Sequence, residues 1–295
     1  MAAINYAAQY ARELAQAYPY ALNFGALYAT PNNGRYRMGE DGKTIYIPNL
    51  STTGRVAADR DTIATATRNY DNAWEPKVLS NQRKWSTLVH PKDIDQTNEV
   101  ASIANITQVF NEEQKFPEMD AYLVSKVFND WVEAGGVSDT EALTVDNILA
   151  KFDAWMEAMD EANVPATGRI WYLTPADNTK LKQAVEKYRH INNGDASIKR
   201  AIENVDNVQL EKVPSTLMKT IYDFTEGHKD GAGAKQIHSL LIHPSAVITP
   251  EKYVFAQLDP PSAGSEGKYV YFEESYDDVF VLNKRKAAIM FNTEA

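Results

Sequence analysis

The chain has 295 residues, 44% of them apolar and 24% charged, a globular composition that excludes a disordered or collagen-like protein. A formal charge of -10 opposes the broad basic face of a duplex-DNA reader, and the lack of cysteine removes disulfides, thiolate nucleophiles and cysteine-ligated metals. No run approaches the ~20 consecutive apolar residues of a membrane helix, and the mean hydropathy is -0.44. The length allows one large domain with excursions, or two domains.

The opening MAAINYAAQYARELAQAYPY lacks a basic start and a continuous apolar stretch, so it reads as an amphipathic helix and not as a signal peptide. With the turn-rich Thr30-Pro31-Asn32-Asn33-Gly34 it has little to bury alone, and it reads as an arm that lies on something else. Lys43-Thr44-Ile45-Tyr46-Ile47-Pro48 is a short β-rich run closed by proline. A polar, threonine-rich stretch follows, and Trp74, Val78, Trp85 and Leu88 return toward an apolar environment. Residues 35–90 therefore read as a two-armed β-excursion. About 17 residues per arm at about 3.3 Å each gives roughly 55 Å. A compact chain of this length has a radius of gyration of only about 19 Å, so the arm must project.

Asp93 and Gln96 have the spacing of a capping box, and the apolar stripe Val100, Ile103, Ile106 and Phe110 predicts a helix over 96–115. Pro117 marks a helix restart; Met119, Leu123, Val127 and Trp131 continue one face until Gly135-Gly136 stops it. Together the two segments predict a kinked spine of about 57 Å. A further helix over 144–163 carries Ile148, Phe152, Trp155 and Met159 on its inner face. Arg169-Ile170-Trp171-Tyr172-Leu173 reads as a strand, Pro175 opens a helix to Tyr188, and residues 208–213 form another strand. Residues 227–233 read as a flexible loop, and 236–243 as helix or strand. Strands over 268–272, 279–282 and 287–291 end an α+β chain.

No Gly-x-Ser-x-Gly elbow, Walker loop, His-Glu-x-x-His pair or dinucleotide fingerprint occurs. Gly264-Ser265-Glu266-Gly267-Lys268 ends in Gly-Lys at the wrong spacing. His238 and His243 have no carboxylate at ligand spacing and read as core or edge residues. Glu273, Glu274, Asp277 and Asp278 are the densest acid cluster, but neighbours on a strand point to opposite faces, so they read as a solvated strand turn. Neither a catalytic site, a metal site nor a cofactor is expected. Arg55, Asp59, Arg60 and Asp61 place alternating charges near the tip of the excursion, where they read as inter-subunit contacts.

Three segments carry a resemblance. Phe116-Pro117-Glu118-Met119-Asp120-Ala121-Tyr122, late in a long helix, resembles the spine-helix signature of tailed-bacteriophage major capsid proteins. The run from Val164-Pro165 through Gly168-Arg169 to Thr174-Pro175 resembles a second element of that family. Glu274-Ser275-Tyr276-Asp277-Asp278-Val279-Phe280-Val281-Leu282, followed by Lys286-Ala287-Ala288-Ile289, resembles its C-terminal strands. The resemblance implies a Hong Kong 97-like fold, with an N-terminal arm at 1–34 and an E-loop at 35–92. It implies a peripheral P domain at 93–139 and 266–295, and an axial A domain at 140–265. It further implies a non-enzymatic virion protein, assembled in the bacterial host cytoplasm, that forms pentamers and hexamers of an icosahedral shell around double-stranded DNA. A separate scaffolding protein and a portal protein are the implied partners, because no long charged helical prefix precedes the arm. The alternatives are an encapsulin-like compartment holding protein cargo and a soluble α+β enzyme.

Overall fold

The computed structural model describes residues 20–57, 68–96, 102–188, 202 and 204–295. The expected N-terminal helix therefore lies almost wholly outside the described residues, as does the centre of the threonine-rich stretch.

The described chain opens with a single helical turn, α1 (Gly25–Tyr28), a short β1 (Arg37–Met38), and two nine-residue strands, β2 (Thr44–Thr52) and β3 (Tyr70–Val78). Then come β4 (Asn81–Val89) and α2 (Pro91–Gln96). The spine follows as α3 (Ile103–Phe110), a π-helical turn (Asn111–Lys115) and α4 (Phe116–Glu133). It starts at Ile103, where the Ser102 hydroxyl accepts the Asn105 N–H, and runs for about 46 Å. The restart expected at Pro117 is this π turn. Proline cannot donate to the i−4 carbonyl and its ring crowds that carbonyl, so the preceding turn widens, with the Phe116 N–H reaching the Asn111 carbonyl. The stop is a Schellman motif: Gly136 N–H bonds the Trp131 carbonyl and Gly135 N–H the Val132 carbonyl. Gly135 takes a φ of +86, and a Cβ on Gly136 would fall 2.2 Å from the Trp131 ring.

Next are α5 (Ile148–Glu161), β5 (Ile170–Leu173) and α6 (Pro175–Tyr188). Thr144 and Asn147 bond each other's backbone N–H ahead of α5, which fixes its start. The chain continues through β6 (Asn204–Val205), β7 (Val208–Lys212), β8 (Tyr222–Asp223), β9 (Lys229–Asp230) and β10 (Ile237–Ile242). It ends with β11 (Val247–Ile248), β12 (Glu251–Asp259), β13 (Tyr269–Asp277), β14 (Phe280–Val281) and β15 (Ile289–Thr293). The loop expected at 227–233 is in part the strand β9, paired with β8.

A five-stranded sheet in the order β15-β10-β5-β7-β6 forms the middle layer. Period-two alternation sends Ile170, Tyr172, Leu240, Ile242 and Phe291 to one side, where α4, Phe24 and Leu27 cover them. Trp171, Leu173 and Leu241 go to the other side, under Ile148, Phe152, Trp155 and Met159 of α5 and Leu181 of α6. This decides residues 236–243 as strand, because a strand buried on both faces reads as an unbroken apolar run. A third, smaller core of Ile45, Leu79, Ile248 and Phe280 lies where β2, the end of β3 and the C-terminal strands meet.

Candidate functional site: a projecting hairpin and the junction that aims it

β2 and β3 pair antiparallel from Thr44↔Val78 to Thr52↔Tyr70, a ladder of about 30 Å. β1 pairs along the root at Ile45 and Tyr46, and the turn after β14 bonds Glu75 and the Leu50 carbonyl. Tyr46, Leu50, Tyr70, Trp74 and Val78 are exposed along the ladder, and Val56 beyond it is 90% exposed. An isolated two-stranded ribbon is marginal in water, and the described residues leave this apolar surface uncovered. Pro48 in β2 and Pro76 in β3 each remove one N–H, which opposes growth of the ribbon by a further strand.

The excursion expected over 35–92 is shorter than its sequence suggests. At Leu79-Ser80 the chain leaves the hairpin: Leu79 enters the third core, and β4 pairs along its whole length with β13, from Asn81↔Asp277 to Val89↔Tyr269. β12 completes that sheet as a second uncovered edge. Every residue of β12 is exposed, with Tyr253, Val254, Phe255 and Leu258 among the large apolar ones.

The turn between hairpin and sheet is fixed by Asp278, whose carboxylate is 1% exposed. One oxygen accepts the Ser80 N–H at 2.7 Å and the Ser80 hydroxyl at 3.0 Å; the other accepts the Tyr122 hydroxyl at 2.7 Å and the Val279 N–H at 2.8 Å. Hairpin, spine and C-terminal strands thus meet on one side chain. Beside it, burial pushes the Asp277 carboxyl up to about 6, while hydrogen bonds from Ser275 and Asn81 oppose the rise.

The rest of the junction comes from the same stretch of spine. Glu118 accepts Arg83 Nε of β4 at 2.7 Å, Lys115 pairs with Glu273 of β13 at 3.0 Å, and Trp85 stacks on Phe110 with ring centres 3.9 Å apart. Two residues past Glu118, the fully buried Asp120 accepts the Tyr20 hydroxyl at 2.6 Å and the N–H groups of Asn23 at 2.9 Å and Phe24 at 3.2 Å. Burial and the Asp120 carboxylate hold the Tyr20 phenol far above its usual range. Thr30 and Asn32 bond the carbonyls of Pro244, Ser245 and Val247. The described part of the opening segment, residues 20–34, therefore lies on its own subunit, where Phe24 and Leu27 give it the apolar anchor that its composition hides.

Of the residues singled out in the sequence, Arg55 stands exposed just past β2. Asp59, Arg60 and Asp61 lie outside the described residues. The acid cluster is not the expected solvated turn: Asp278 is buried, Asp277 half-buried, Glu273 is paired with Lys115, and Glu274 takes a surface bond from Gln82. Strand alternation was the right rule, but both faces of β13 are partly covered. His238 bonds Asp177, and His243 bridges Ser245 and the Thr167 carbonyl, so both hold structure together. No group of His, Asp or Glu among the described residues could hold a metal ion.

No protein-family model matches the chain, and no curated protein matches its sequence. Solved structures do. A chain of the cyanophage P-SCSP1u capsid superposes with a TM-score of 0.64 at 14% identity, over 95% of this chain and 90% of that one. A chain of the bacteriophage PhiM1 mature capsid gives 0.63 at 11% identity, over 88% and 84%. A chain from the head of Helicobacter pylori bacteriophage KHP40 gives 0.58 at 10% identity, over 90% and 91%. Identity this low speaks for fold, and coverage this high speaks for the whole of it. The chain has the Hong Kong 97-like fold of tailed-phage capsid proteins.

Proposed function

We propose that this chain is the major capsid protein of a tailed bacteriophage, a structural subunit that assembles with copies of itself into an icosahedral shell around double-stranded DNA. The observation that carries the reading is the unburied length of the hairpin, joined to the uncovered β12 edge, on a body whose core is otherwise complete. Each subunit lays the hairpin over a neighbour, and burial that one chain cannot achieve is completed between chains. In this reading residues 1–34 are the arm, 35–78 the E-loop, 79–139 with 266–295 the P domain, and 140–265 the A domain. Arg55, Asp59, Arg60 and Asp61 fix register across the interface more than they add affinity. A separate scaffolding protein and a portal protein are the expected helpers in the host cytoplasm. The formal charge of -10 suits a container that must release its genome, since strong attraction for the polyanion would oppose packing and ejection.

Negative-stain microscopy of the expressed chain, alone and with the products of neighbouring genes, tests the proposal. Closed shells that contain nucleic acid support it; shells filled with protein cargo indicate a compartment instead, and a persistent monomer with a ligand-filled cleft indicates an enzyme. Replacing residues 51–67 with a short Gly-Ser turn leaves a folded chain by circular dichroism and abolishes shells. Normal particles from that variant refute the role given to the hairpin.

A further inference from the structure

Between the stretch of the hairpin just beyond its root, at Ile47, Leu50 and Glu75, and the basic turn Asn283–Ala288 lies a cleft of about 310 Å³. Arg35, Lys284 and Arg285 line it together with a single carboxylate, Glu75. That carboxylate is already matched: Asn283 donates to one of its oxygens, and Lys77 lies 3.5 Å from the same atom. Among the described residues the three cations have no carboxylate partner. Lys284 donates to the Leu50 carbonyl at 2.9 Å, and Arg285 donates to the Ser245 carbonyl at 2.9 Å and to the Asn32 amide oxygen at 3.4 Å, all neutral acceptors. Arg35 is exposed and makes no ion pair among the described residues. The cleft thus concentrates uncompensated positive charge on a chain that carries 40 acidic and 30 basic residues. Its wall is also partly apolar, with Ile47 half-buried and Leu50 61% exposed.

We propose that this cleft is a docking site for an acidic segment of a second copy of this chain, whose carboxylate is received by Arg35, Lys284 and Arg285. The inference rests on the shell-forming reading above. Charge complementarity favours the second copy: the surplus of carboxylates on every subunit meets the local surplus of cations here. The apolar wall favours a peptide over a phosphodiester, because an acidic side chain beside an aliphatic one matches both halves of the cleft. Lys284 and Arg285 are held in place by neutral acceptors before the partner arrives, which lowers the ordering cost of binding. Arg35 adds a planar fork suited to two parallel bonds with a carboxylate. Because Lys284 also holds Leu50 of β2 and Asn283 holds Glu75 of β3, an occupant here contacts the structure that grips both strands of the hairpin.

Two experiments on the full chain test the site. In the first, assembly is followed by light scattering and sedimentation for the unaltered chain, Arg35→Glu, Arg35→Lys and Lys284→Gln. Arg35→Glu raises the concentration needed for assembly roughly ten-fold or more, Arg35→Lys restores most of it, and the penalty shrinks in high salt as the charges are screened. In the second, particles mixed from isotopically heavy and light copies of the unaltered chain are treated with a zero-length carbodiimide. Lys284 then joins a carboxylate on a different copy, a readout that does not depend on any variant folding. Shells formed by Arg35→Glu and Lys284→Gln at the unaltered concentration overturn the proposal while leaving the shell reading intact, and so does Lys284 joined only within its own chain. Loss of oligonucleotide binding in Arg35→Glu with assembly unchanged overturns it in favour of phosphate. An unaltered chain that never assembles, alone or with the products of neighbouring genes, overturns both readings together.

Discussion

The junction at Asp278 can be broken with a single atom exchange, Asp278→Asn. As a carboxylate the side chain only accepts, and it accepts four bonds: from the Ser80 N–H and hydroxyl on one oxygen, and from the Tyr122 hydroxyl and Val279 N–H on the other. An amide of the same shape keeps one accepting oxygen and turns an NH₂ group toward the other pair. Either hydroxyl can rotate and accept from that group. Neither backbone N–H can, so one of Ser80 and Val279 loses its partner inside a site that is 1% exposed. An orphaned buried donor costs about 1–3 kcal/mol, and the remaining bonds lose their charge assistance, so Asp278→Asn should cost about 2–4 kcal/mol. Asp278→Ala orphans both N–H groups and leaves a cavity, and it should cost more. Urea unfolding of the unassembled chain measures both, and hydrogen exchange at the Ser80 and Val279 amides shows which donor is released. A loss below about 1 kcal/mol, or equal losses for the two variants, refutes the argument that this carboxylate fixes the root of the hairpin.

Trp131 packs from α4 against Phe291 of β15 and donates its indole N–H to the Lys286 carbonyl at 3.1 Å, so Trp131→Ala should cost about 3–5 kcal/mol of unfolding free energy. Asp120→Asn should release the opening segment before the body unfolds, seen as faster hydrogen exchange at Asn23 and Phe24 with the protection of β5 unchanged. The raised Asp277 carboxyl, about 6 when folded against an ordinary 3.8, contributes stability that is complete below 3.8 and lost as pH rises through 6. Asp277→Asn should flatten that part of the stability–pH curve of the unassembled chain, and an unchanged slope between pH 4 and 6 removes Asp277 as its cause.

The layers of the body were legible because each helix carries one apolar stripe and each stop has local chemistry. Leu123, Val127 and Trp131 give the buried face of α4, Gly135 and Gly136 its end, and Ile148, Phe152, Trp155 and Met159 the inner face of α5. The extent of the hairpin was not legible. β3 and β4 follow one another with only Leu79 and Ser80 between them, and β4 alternates half-buried and exposed as an arm of the hairpin would. What separates them is a partner, β13, about two thirds of the chain length away, and no local pattern encodes that pairing. Asp120 and Asp278 were hidden for a related reason. A buried carboxylate looks like a surface one until the donors that surround it are known, and here they come from Tyr20, Asn23, Ser80 and Tyr122.

These hidden contacts bear on the function because of where they lie. Two of the buried carboxylates the sequence concealed sit at the root of a projecting or peripheral element: Asp120 under the opening segment, Asp278 under the hairpin. Apolar packing alone would leave a ribbon free to sweep, since hydrophobic contact has no direction. Fixed donors and acceptors do have direction, and four of them on Asp278 set the angle at which β3 leaves the body. Farther along the ribbon the bonds from Asn283 to Glu75 and from Lys284 to the Leu50 carbonyl are the last ties to the body among the described residues, and the side chains of Leu50, Tyr70 and Trp74 stand uncovered. A root held by directional bonds with a length left bare is poorly suited to a free monomer, which gains nothing from aiming a surface at water. It is well suited to a subunit whose neighbour always arrives from the same side.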